Sequence, residues 1–434
     1  MAFFMRKMIS ILMISTLLMG IPQGKLIASQ EENVEELSQA AQEEDVEELS
    51  QAVQDDVVPQ TLKDSELYSK SAALIDGSTK RVLYGKEEST PLANASTTKI
   101  LTCIVALEAG VISDTTTASS RAVGQPKVRL GMEEGTEYKI KDLLYCLMLE
   151  SYNDCAVAIA EHVAGSVEAF AEMMNKKALE IGCTDTYFIT PNGLDDENEN
   201  GFHHTTAEDL CRIMAYCSWD SPKSAEFCEI TQTMSYSFEN NGRSYTASNH
   251  NQLFSKIEGV VSGKTGFTAD AGYCYVASFE RAGKKMCLAL LGCGWPNNKT
   301  YKWSDSLKLL GYGLTNYDLE NIYETPFLEC REVFEGIASN CSLSNWRQTC
   351  YLEGKLEGEK ELIYLVSLDD TISRQVQWKE DLTAPIEEGD ILGYYLIYIN
   401  EECVYSEPIR AEISVEKWCF SMFFERVCKE FLLY

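Results

Sequence analysis

Apolar residues recur with a helical period in several stretches of this chain and with a two-residue period in others. Residues 100–107 are apolar on nearly every side, which predicts a buried central helix rather than an amphipathic surface helix. The same period predicts helices over residues 142–149, 155–163, 165–182 and 206–216. Strand-like runs joined by glycine-containing turns pair 72–75 with 81–84 and 272–279 with 285–291. The pattern therefore predicts antiparallel strand pairs together with several helices.

The C-terminal part of the chain has a different pattern. Residues 329–408 alternate short apolar runs with polar turns, and this predicts a small β-rich second domain. A chain of 434 residues is also longer than one ordinary core requires. We therefore predict a signal peptide at 1–29, an acidic spacer at 30–60, a larger domain at 61–320, a β-rich domain at 325–412 and an amphipathic helix at 414–434.

The N-terminus has the composition of an export signal. Arg6 and Lys7 precede the apolar stretch 8–21, which is short for a membrane-spanning helix, and we expect cleavage near Ala28 or Ser29. The protein is therefore predicted to be exported. Residues 31–42 then recur as 43–54 with two changes, and the repeat is acidic, without lysine or arginine. Such a repeat predicts a disordered or transiently helical spacer.

Charge and cysteine usage exclude some classes of function. The formal net charge is −30, from 67 acidic and 37 basic residues, which argues against nucleic-acid binding because phosphate contacts need clustered lysine and arginine. None of the 16 cysteines belongs to a CxxC motif, so zinc ribbons and thioredoxin-like redox sites have no support. Several cysteines lie in apolar periodic runs, and we predict mostly free, buried thiols.

The start of the buried helix carries a serine three residues before a lysine, Ser96 and Lys99. Positions i and i+3 share one helix face, so the hydroxyl and the amine can come within hydrogen-bond reach. A serine needs a base to become nucleophilic, and burial lowers the pKa of a lysine towards that role. Alone the pattern is weak, since Ser414 and Lys417 repeat it by chance.

Two further motifs follow downstream. Ser151 and Asn153 lie at a break between two apolar helices, where side chains can point into a cleft. Lys264, Thr265 and Gly266 lie on the leading strand of the predicted meander. Lys264 and Gly266 share one face of that strand, and glycine permits the close approach of a ligand. Three short motifs in this order indicate a serine acyl-transfer site.

These motifs, with their flanking residues at 95–102, 160–166, 191–194 and 263–268, closely resemble the serine-type D-alanyl-D-alanine carboxypeptidases, the low-molecular-weight penicillin-binding proteins. The resemblance extends over about residues 65–315. It implies an α+β fold in which an antiparallel five-stranded sheet packs against a helical cluster, with the active site between them. A small β-rich C-terminal domain also occurs in this family. Tyr152 is a departure, since the family commonly has glycine there.

The resemblance implies catalytic roles for four residues. Ser96 attacks the carbonyl between the two terminal D-alanines of a peptidoglycan stem peptide, with Lys99 as the general base, and an acyl-enzyme forms. Ser151, with Asn153, relays a proton towards the leaving amine and orients the peptide. β-Lactam antibiotics are the expected covalent inhibitors. The expected location is the extracytoplasmic face of the membrane or the cell wall.

It implies substrate-binding roles for the third motif. Lys264 and Thr265 hold the substrate carboxylate by charge-assisted hydrogen bonds. The main-chain N–H groups of Ser96 and of Phe267, which follows Gly266, form the oxyanion hole. Neither a metal ion nor a cofactor is required.

Four other functions fit the sequence less well than this one. A class A β-lactamase needs a deacylating glutamate with an asparagine four residues later, but Glu197 is followed at that distance by Gly201. A non-catalytic wall-scaffold protein would tolerate the loss of Ser96 or Lys99, and both are present. A Ser-His-Asp hydrolase lacks its GxSxG motif, and a zinc peptidase lacks HExxH. Surface or loop positions are therefore predicted for the four histidines, His162, His203, His204 and His250.

The C-terminal segment 414–434 is amphipathic. Charged and polar residues, including Glu425 and Lys429, lie opposite its apolar side. The segment is too charged to span a membrane, and we predict an interfacial membrane anchor rather than a docked helix. The apolar side comprises Trp418, Phe420, Phe423, Phe424, Val427, Phe431 and Leu432.

Overall fold

The structure, a computed structural model, describes residues 43, 46–53, 61–337, 350–358 and 360–432. The chain divides into two compact units, Met1–Thr315 and Asn316–Tyr434. The predicted signal peptide and the first copy of the acidic repeat lie outside the described residues.

A five-stranded antiparallel sheet forms the centre of the first unit, with the strand order β2-β1-β11-β10-β9. Its strands are β1 (Ser71–Asp76), β2 (Val82–Lys86), β9 (Val260–Thr268), β10 (Gly272–Arg281) and β11 (Lys284–Leu291). The predicted sheet is therefore confirmed, and the strand that carries Lys264 lies at its edge. Three small pairs join β3 (Thr115–Thr117) with β4 (Glu137–Lys139), β5 (Glu197–Asn198) with β6 (Gly201–Phe202), and β7 (Ser235–Asn240) with β8 (Arg243–Ser248).

Helices cover the sheet and enclose the longest buried segment. They are α1 (Lys99–Glu108), α2 (Ser120–Val123), α3 (Ile140–Leu149), α4 (Asn153–Ala164), α5 (Val167–Ile181), α6 (Ala207–Ala215), α7 (Ser224–Gln232), α8 (Leu253–Lys256) and α9 (Tyr301–Asn316). Every residue of α1 except its last is buried, as the all-round apolar pattern predicts. Helix α6 packs against β1, β10 and β11, so one core joins the sheet to the helical cluster.

Helix boundaries follow local sequence signals. Ser166 and Thr206 cap α5 and α6, and each side-chain oxygen accepts a hydrogen bond from a main-chain N–H in the first turn. Helix α3 ends at Leu149 and α4 begins at Asn153, so the predicted break between two apolar helices is present. Ser151 lies in that break with a φ angle of 64°.

Part of the second acidic repeat is helical in the structure, over residues 46–53. Val46 and Val53 are 2% and 0% exposed, and the Arg281 guanidinium donates a hydrogen bond to the Val53 carbonyl. The described part of the predicted spacer therefore packs against the first unit as a helix.

The second unit is β-rich, as the alternating pattern predicts. A four-stranded sheet has the order β15-β19-β18-β17, and two further pairs are β12 with β16 and β13 with β14. The strands are β12 (Tyr317–Asn321), β13 (Arg331–Val333), β14 (Cys350–Leu352), β15 (Gly354–Lys355), β16 (Ile363–Ser367), β17 (Ile372–Trp378), β18 (Ile391–Ile399) and β19 (Glu402–Ala411). Helix α10 (Phe420–Leu432) follows them.

Among the residues that the structure describes, no helix combines the length and the apolar character needed to cross a membrane.

Candidate active site

A tight turn presents the first motif at the start of α1. A 3₁₀ turn, Ala95–Thr98, leads directly into the helix, and Ala95 adopts a positive φ of 49°. The Lys99 amine nitrogen lies 2.7 Å from Ser96 Oγ, within hydrogen-bond distance. Gly193 passes so close that a Cβ atom there would lie 1.9 Å from the Ala95 carbonyl oxygen. The spacing of the motif therefore does bring hydroxyl and amine together.

Lys99 is fully buried and has three oxygen partners. Besides Ser96, its Nζ lies 2.9 Å from Asn153 Oδ1 and 2.7 Å from the Asn192 carbonyl oxygen. Burial, and next the charge of Lys264, hold the pKa of Lys99 well below its ordinary value. A neutral amine has two N–H groups and one lone pair. With the N–H groups donated to Asn153 and Asn192, the lone pair faces the Ser96 hydroxyl.

The second and third motifs meet across the cleft. Lys264 on β9 donates hydrogen bonds to Ser151 Oγ at 2.9 Å and to the Thr265 carbonyl at 2.9 Å. Burial lowers the pKa of Lys264 to about 7. The three predicted motifs thus form one contiguous group, with Lys99 joined to Asn153 and Ser151 joined to Lys264.

Strand β9 passes directly beside the nucleophile. A Cβ atom on Gly266 would lie 2.9 Å from the Ser96 main-chain nitrogen, so a side chain at this position would crowd that N–H group. Phe267 is 42% exposed, and its ring centroid lies 4.7 Å from that of Tyr273. The glycine therefore keeps space open between the strand edge and the nucleophile turn.

A cavity of about 270 Å³ borders the same strand. Its lining includes Thr265, Gly266 and Phe267, three of the four predicted substrate-binding residues. Lys299 and Lys302 also line it, and burial lowers the pKa of Lys302 to about 8. Glu43 lines the cavity as well, so two lysines and one carboxylate leave a small excess of positive charge beside the third motif, which suits an anionic ligand.

A loop before α3 is anchored over the second motif. The buried Asp154 carboxylate accepts hydrogen bonds from the main-chain N–H groups of residues 130–132 at 2.8–3.3 Å. Asn153 donates from its side chain to the Pro126 carbonyl and from its main chain to the Val128 carbonyl. The loop thereby fixes the Asn153 amide, whose oxygen faces Lys99.

Two contributors to the site were not predicted from the sequence. His203, for which the sequence predicts a surface or loop position, lies in the loop between β6 and α6, but its side chain is only 2% exposed and lies 2.9 Å from Thr98 Oγ1. The Asn192 carbonyl acts through the main chain, so its side-chain type gives no signal, although the adjacent Gly193 marks a close backbone approach. Within the described ranges, no group of three or more His, Cys, Asp or Glu side chains is arranged to hold a metal ion.

The chain is similar in sequence to the proteins of one known family. The family model of the D-alanyl-D-alanine carboxypeptidases, peptidase family S11, matches residues 58–294. The chain is 29% identical over 365 residues to D-alanyl-D-alanine carboxypeptidase DacF of Bacillus subtilis, covering 82% of this chain and 88% of that protein. It is 30% identical over 338 residues to DacA of Haemophilus influenzae, covering 73% and 77%.

Solved structures agree with the sequence matches. A Mycobacterium tuberculosis D-alanyl-D-alanine carboxypeptidase aligns with a TM-score of 0.52 at 28% identity, covering 57% of this chain and 90% of that one. Penicillin-binding protein 5 of Haemophilus influenzae aligns with a TM-score of 0.62 over 82% of this chain and all of that one. At 24% identity the second likeness concerns the fold alone.

Proposed function

The chain belongs to the serine-type D-alanyl-D-alanine carboxypeptidases, which are penicillin-binding proteins, and from this premise we propose that Ser96 forms the acyl-enzyme by which it removes the terminal D-alanine of peptidoglycan stem pentapeptides. One observation carries the assignment of the nucleophile. The buried Lys99 amine, with a depressed pKa, lies 2.7 Å from the Ser96 hydroxyl oxygen.

In the first half-reaction the lone pair of neutral Lys99 takes the hydroxyl proton as Ser96 Oγ bonds to the carbonyl carbon of the penultimate D-alanine. The carbonyl oxygen becomes negative in the tetrahedral intermediate. The main-chain N–H groups of Ser96 and Phe267 stabilise that charge, and Gly266 leaves the room for it. Removing one such donor typically costs about 3–4 kcal/mol of transition-state stabilisation.

The intermediate then collapses with cleavage of the C–N bond. The proton that Lys99 took from Ser96 passes through the Ser151 hydroxyl to the leaving amine, which returns Lys99 to its neutral form. Lys264 holds that hydroxyl at 2.9 Å. Asn153 orients both Lys99 and the peptide. D-Alanine departs as the free amino acid, and the rest of the peptide remains as an ester of Ser96.

Lys264 and Thr265 bind the carboxylate of the terminal D-alanine in this scheme. The buried Lys264 amine lies 2.9 Å from the Thr265 carbonyl oxygen, and Thr265 lines the cavity that also contains Lys299 and Lys302. A water molecule, activated by the same Lys99 base, attacks the ester and regenerates Ser96. β-Lactams acylate the same serine as covalent inhibitors.

The two rival functions are less well supported. Glu197, the candidate glutamate for a β-lactamase mechanism, is exposed on the short strand β5, and Gly201 occupies the position where an asparagine would be needed. A scaffold without catalysis would have no need for a buried lysine, whose burial destabilises its charged form.

We place the enzyme outside the cytoplasm, on the outer face of the cell membrane or in the cell wall, where its substrate is found. The export signal predicted at 1–29 supports this location. Helix α10 would hold the enzyme at the membrane surface, since three of its phenylalanine side chains are exposed. Phe420, Phe424 and Phe431 are 72%, 60% and 74% exposed.

The direct test uses a fluorescent penicillin and the purified protein. We expect a covalent label on the wild type and none on Ser96→Ala, because the label requires an ester bond to that oxygen. Labelling that survives this substitution would assign the nucleophile elsewhere. Ser414→Ala, in the chance copy of the motif, is the matched control and should label normally.

A second measurement separates the carboxypeptidase from a β-lactamase. D-Alanine release from a stem pentapeptide is measured beside hydrolysis of the chromogenic cephalosporin nitrocefin. We expect D-alanine to be released from the pentapeptide. We also expect nitrocefin to form an acyl-enzyme that is hydrolysed slowly. Rapid nitrocefin turnover without D-alanine release would favour the rival.

A further inference from the structure

His203 connects two segments of the active site that lie far apart in the sequence. The residue follows β6 and precedes α6, and its side chain is 2% exposed. Its Nδ1 atom accepts a hydrogen bond from the Ile189 main-chain N–H at 3.0 Å, with the Thr190 N–H at 3.4 Å. Its Nε2 atom lies 2.9 Å from Thr98 Oγ1.

These partners determine the tautomer of the imidazole. Because Nδ1 accepts from main-chain donors, the proton of the neutral ring lies on Nε2, which donates to Thr98 Oγ1. The threonine oxygen accepts a second hydrogen bond from Asn94 Nδ2 at 2.9 Å and donates its own proton to the Ala95 carbonyl at 2.9 Å. Both ring nitrogens are therefore used in fixed directions. Burial lowers the pKa of His203 to about 3, so the ring stays neutral at working pH.

Each end of this bridge leads to a reacting group. Thr98 immediately precedes Lys99, and its hydroxyl holds the Ala95 carbonyl, next to Ser96. The segment held at residues 189–190 continues into Pro191 and Asn192. The Pro191 carbonyl accepts a hydrogen bond from Thr102 Oγ1 at 2.7 Å, and the Asn192 carbonyl accepts one from Lys99 at 2.7 Å. The imidazole thus joins the segment of the nucleophile to the segment that supplies an acceptor for the base.

We propose that His203 is a positioning residue that directs the Lys99 lone pair at Ser96 by holding the Asn192 carbonyl against the lysine amine. The inference rests on the proposed function of Ser96 and Lys99. If the carbonyl moves away, the amine has one acceptor fewer and can rotate about its terminal bond. Its lone pair then spends less time aligned with the Ser96 hydroxyl, and proton abstraction slows. Substrate binding through Lys264 and Thr265 is unaffected.

The test separates the chemical step from binding. Stopped-flow measurements with a fluorescent penicillin yield the first-order acylation rate constant and the dissociation constant of the preceding non-covalent complex. His203→Phe keeps an aromatic ring but loses the hydrogen bonds of both ring nitrogens. We expect its acylation rate constant to fall about 10- to 100-fold, the size of effect that a small misplacement of a catalytic group produces. The dissociation constant should change by less than about threefold. This is well below the tenfold change that corresponds to about 1.4 kcal/mol of binding free energy.

Rescue and control variants distinguish positioning from stability. His203→Gln retains one acceptor and one donor and should recover much of the lost rate. Thr98→Val removes the hydroxyl at the other end of the bridge and should slow acylation while binding is retained. His204→Phe is the matched control, since that half-buried ring packs against Phe202 at a tilt of 40° with centroids 4.6 Å apart and lies beside His203 in sequence. It should acylate at the wild-type rate.

Several outcomes overturn the proposal. These are a wild-type acylation rate constant in His203→Phe, an equal loss in His203→Phe and His203→Gln, and a parallel loss of rate and of binding. Should His203→Phe fail to fold, Thr98→Val decides alone, and its acylation at the wild-type rate refutes the role of the bridge. Failure of the proposed function is separate, because it would appear as Ser96-independent labelling of the wild-type protein.

Discussion

Two buried lysines carry most of the chemistry at the residue scale, and their surroundings give them different states. Lys99 has three oxygen partners and lies near a second cation, so both burial and repulsion favour its neutral form. Burial alone lowers the pKa of Lys264, to about 7, and its partners are a hydroxyl and a carbonyl. Near neutral pH Lys99 is therefore poised as a base, whereas a large fraction of Lys264 remains charged for an anionic substrate.

The titration of Lys264 predicts how substrate use depends on pH. A lysine loses its charge as the pH rises through its pKa, so carboxylate binding weakens above about pH 7. We expect kcat/KM for a D-alanyl-D-alanine peptide, which reports the free enzyme, to decline on the alkaline side towards a tenfold loss per pH unit. On the acid side we expect kcat/KM to increase as Lys99 loses its proton, because only the neutral amine acts as the base.

Steady-state kinetics between pH 5.5 and 9 check this expectation. A thioester substrate whose leaving group has no carboxylate is the control, and its kcat/KM should lack the alkaline decline. The same decline with both substrates would remove Lys264 from carboxylate binding and assign the titration to the chemical step.

At the scale of elements, the sequence predicts those parts of the site that lie on regular structure. Ser96 and Lys99 meet because helical spacing is local, and Lys264 and Gly266 share a face because strands alternate. The contacts of Asp154 with residues 130–132 and of His203 with Thr98 join segments distant in sequence through irregular backbone. Such contacts leave no periodic trace, so neither could be predicted. The same holds for residues 46–53, whose packing depends on a surface elsewhere in the fold.

The loop anchored by Asp154 yields a prediction about an element rather than a reacting group. Asp154→Asn replaces one carboxylate oxygen by an NH₂ group. If the NH₂ group takes the Oδ1 position it faces the main-chain N–H groups of residues 130 and 155, and if it takes the Oδ2 position it faces those of residues 131 and 132. A buried donor left without an acceptor costs about 1–3 kcal/mol, so the free energy of unfolding should fall by that order. The loop should also release Asn153, which lowers the acylation rate.

Hydrogen exchange and denaturant unfolding measure both effects. We expect faster exchange of the amides of residues 130–132 in Asp154→Asn. Glu133→Gln is the control in the same loop, because the Glu133 carboxylate pairs with exposed Arg243 and such surface pairs contribute about 0–1 kcal/mol. Unchanged exchange in Asp154→Asn, or an equal effect in the control, would show that the carboxylate does not anchor the loop.

For the whole molecule, charge and exposed apolar surface decide how it would meet a membrane. The net charge of −30 opposes adsorption on anionic lipid by simple electrostatics. Helix α10 has 13 residues and is therefore about 20 Å long, too short to cross a hydrocarbon core of about 30 Å. Phe420, Phe424 and Phe431 lie at helical spacings of four and seven, on one face. For the anchor proposed above, we expect attachment to come from these rings entering the interface.

Vesicle flotation of the intact protein tests this anchor. Burying a phenylalanine side chain contributes about 1.5–3 kcal/mol, so Phe424→Ser should weaken binding to zwitterionic vesicles about tenfold or more. Because the attraction is apolar, salt should not abolish binding, and anionic lipid should not increase it. Phe327→Ser is the matched control, since Phe327 is 87% exposed in the same unit but lies outside the helix. Two outcomes would contradict the anchor: binding that requires anionic lipid, and an equal loss of binding in Phe327→Ser and Phe424→Ser. Either would place the membrane contact elsewhere and leave α10 as an ordinary surface helix.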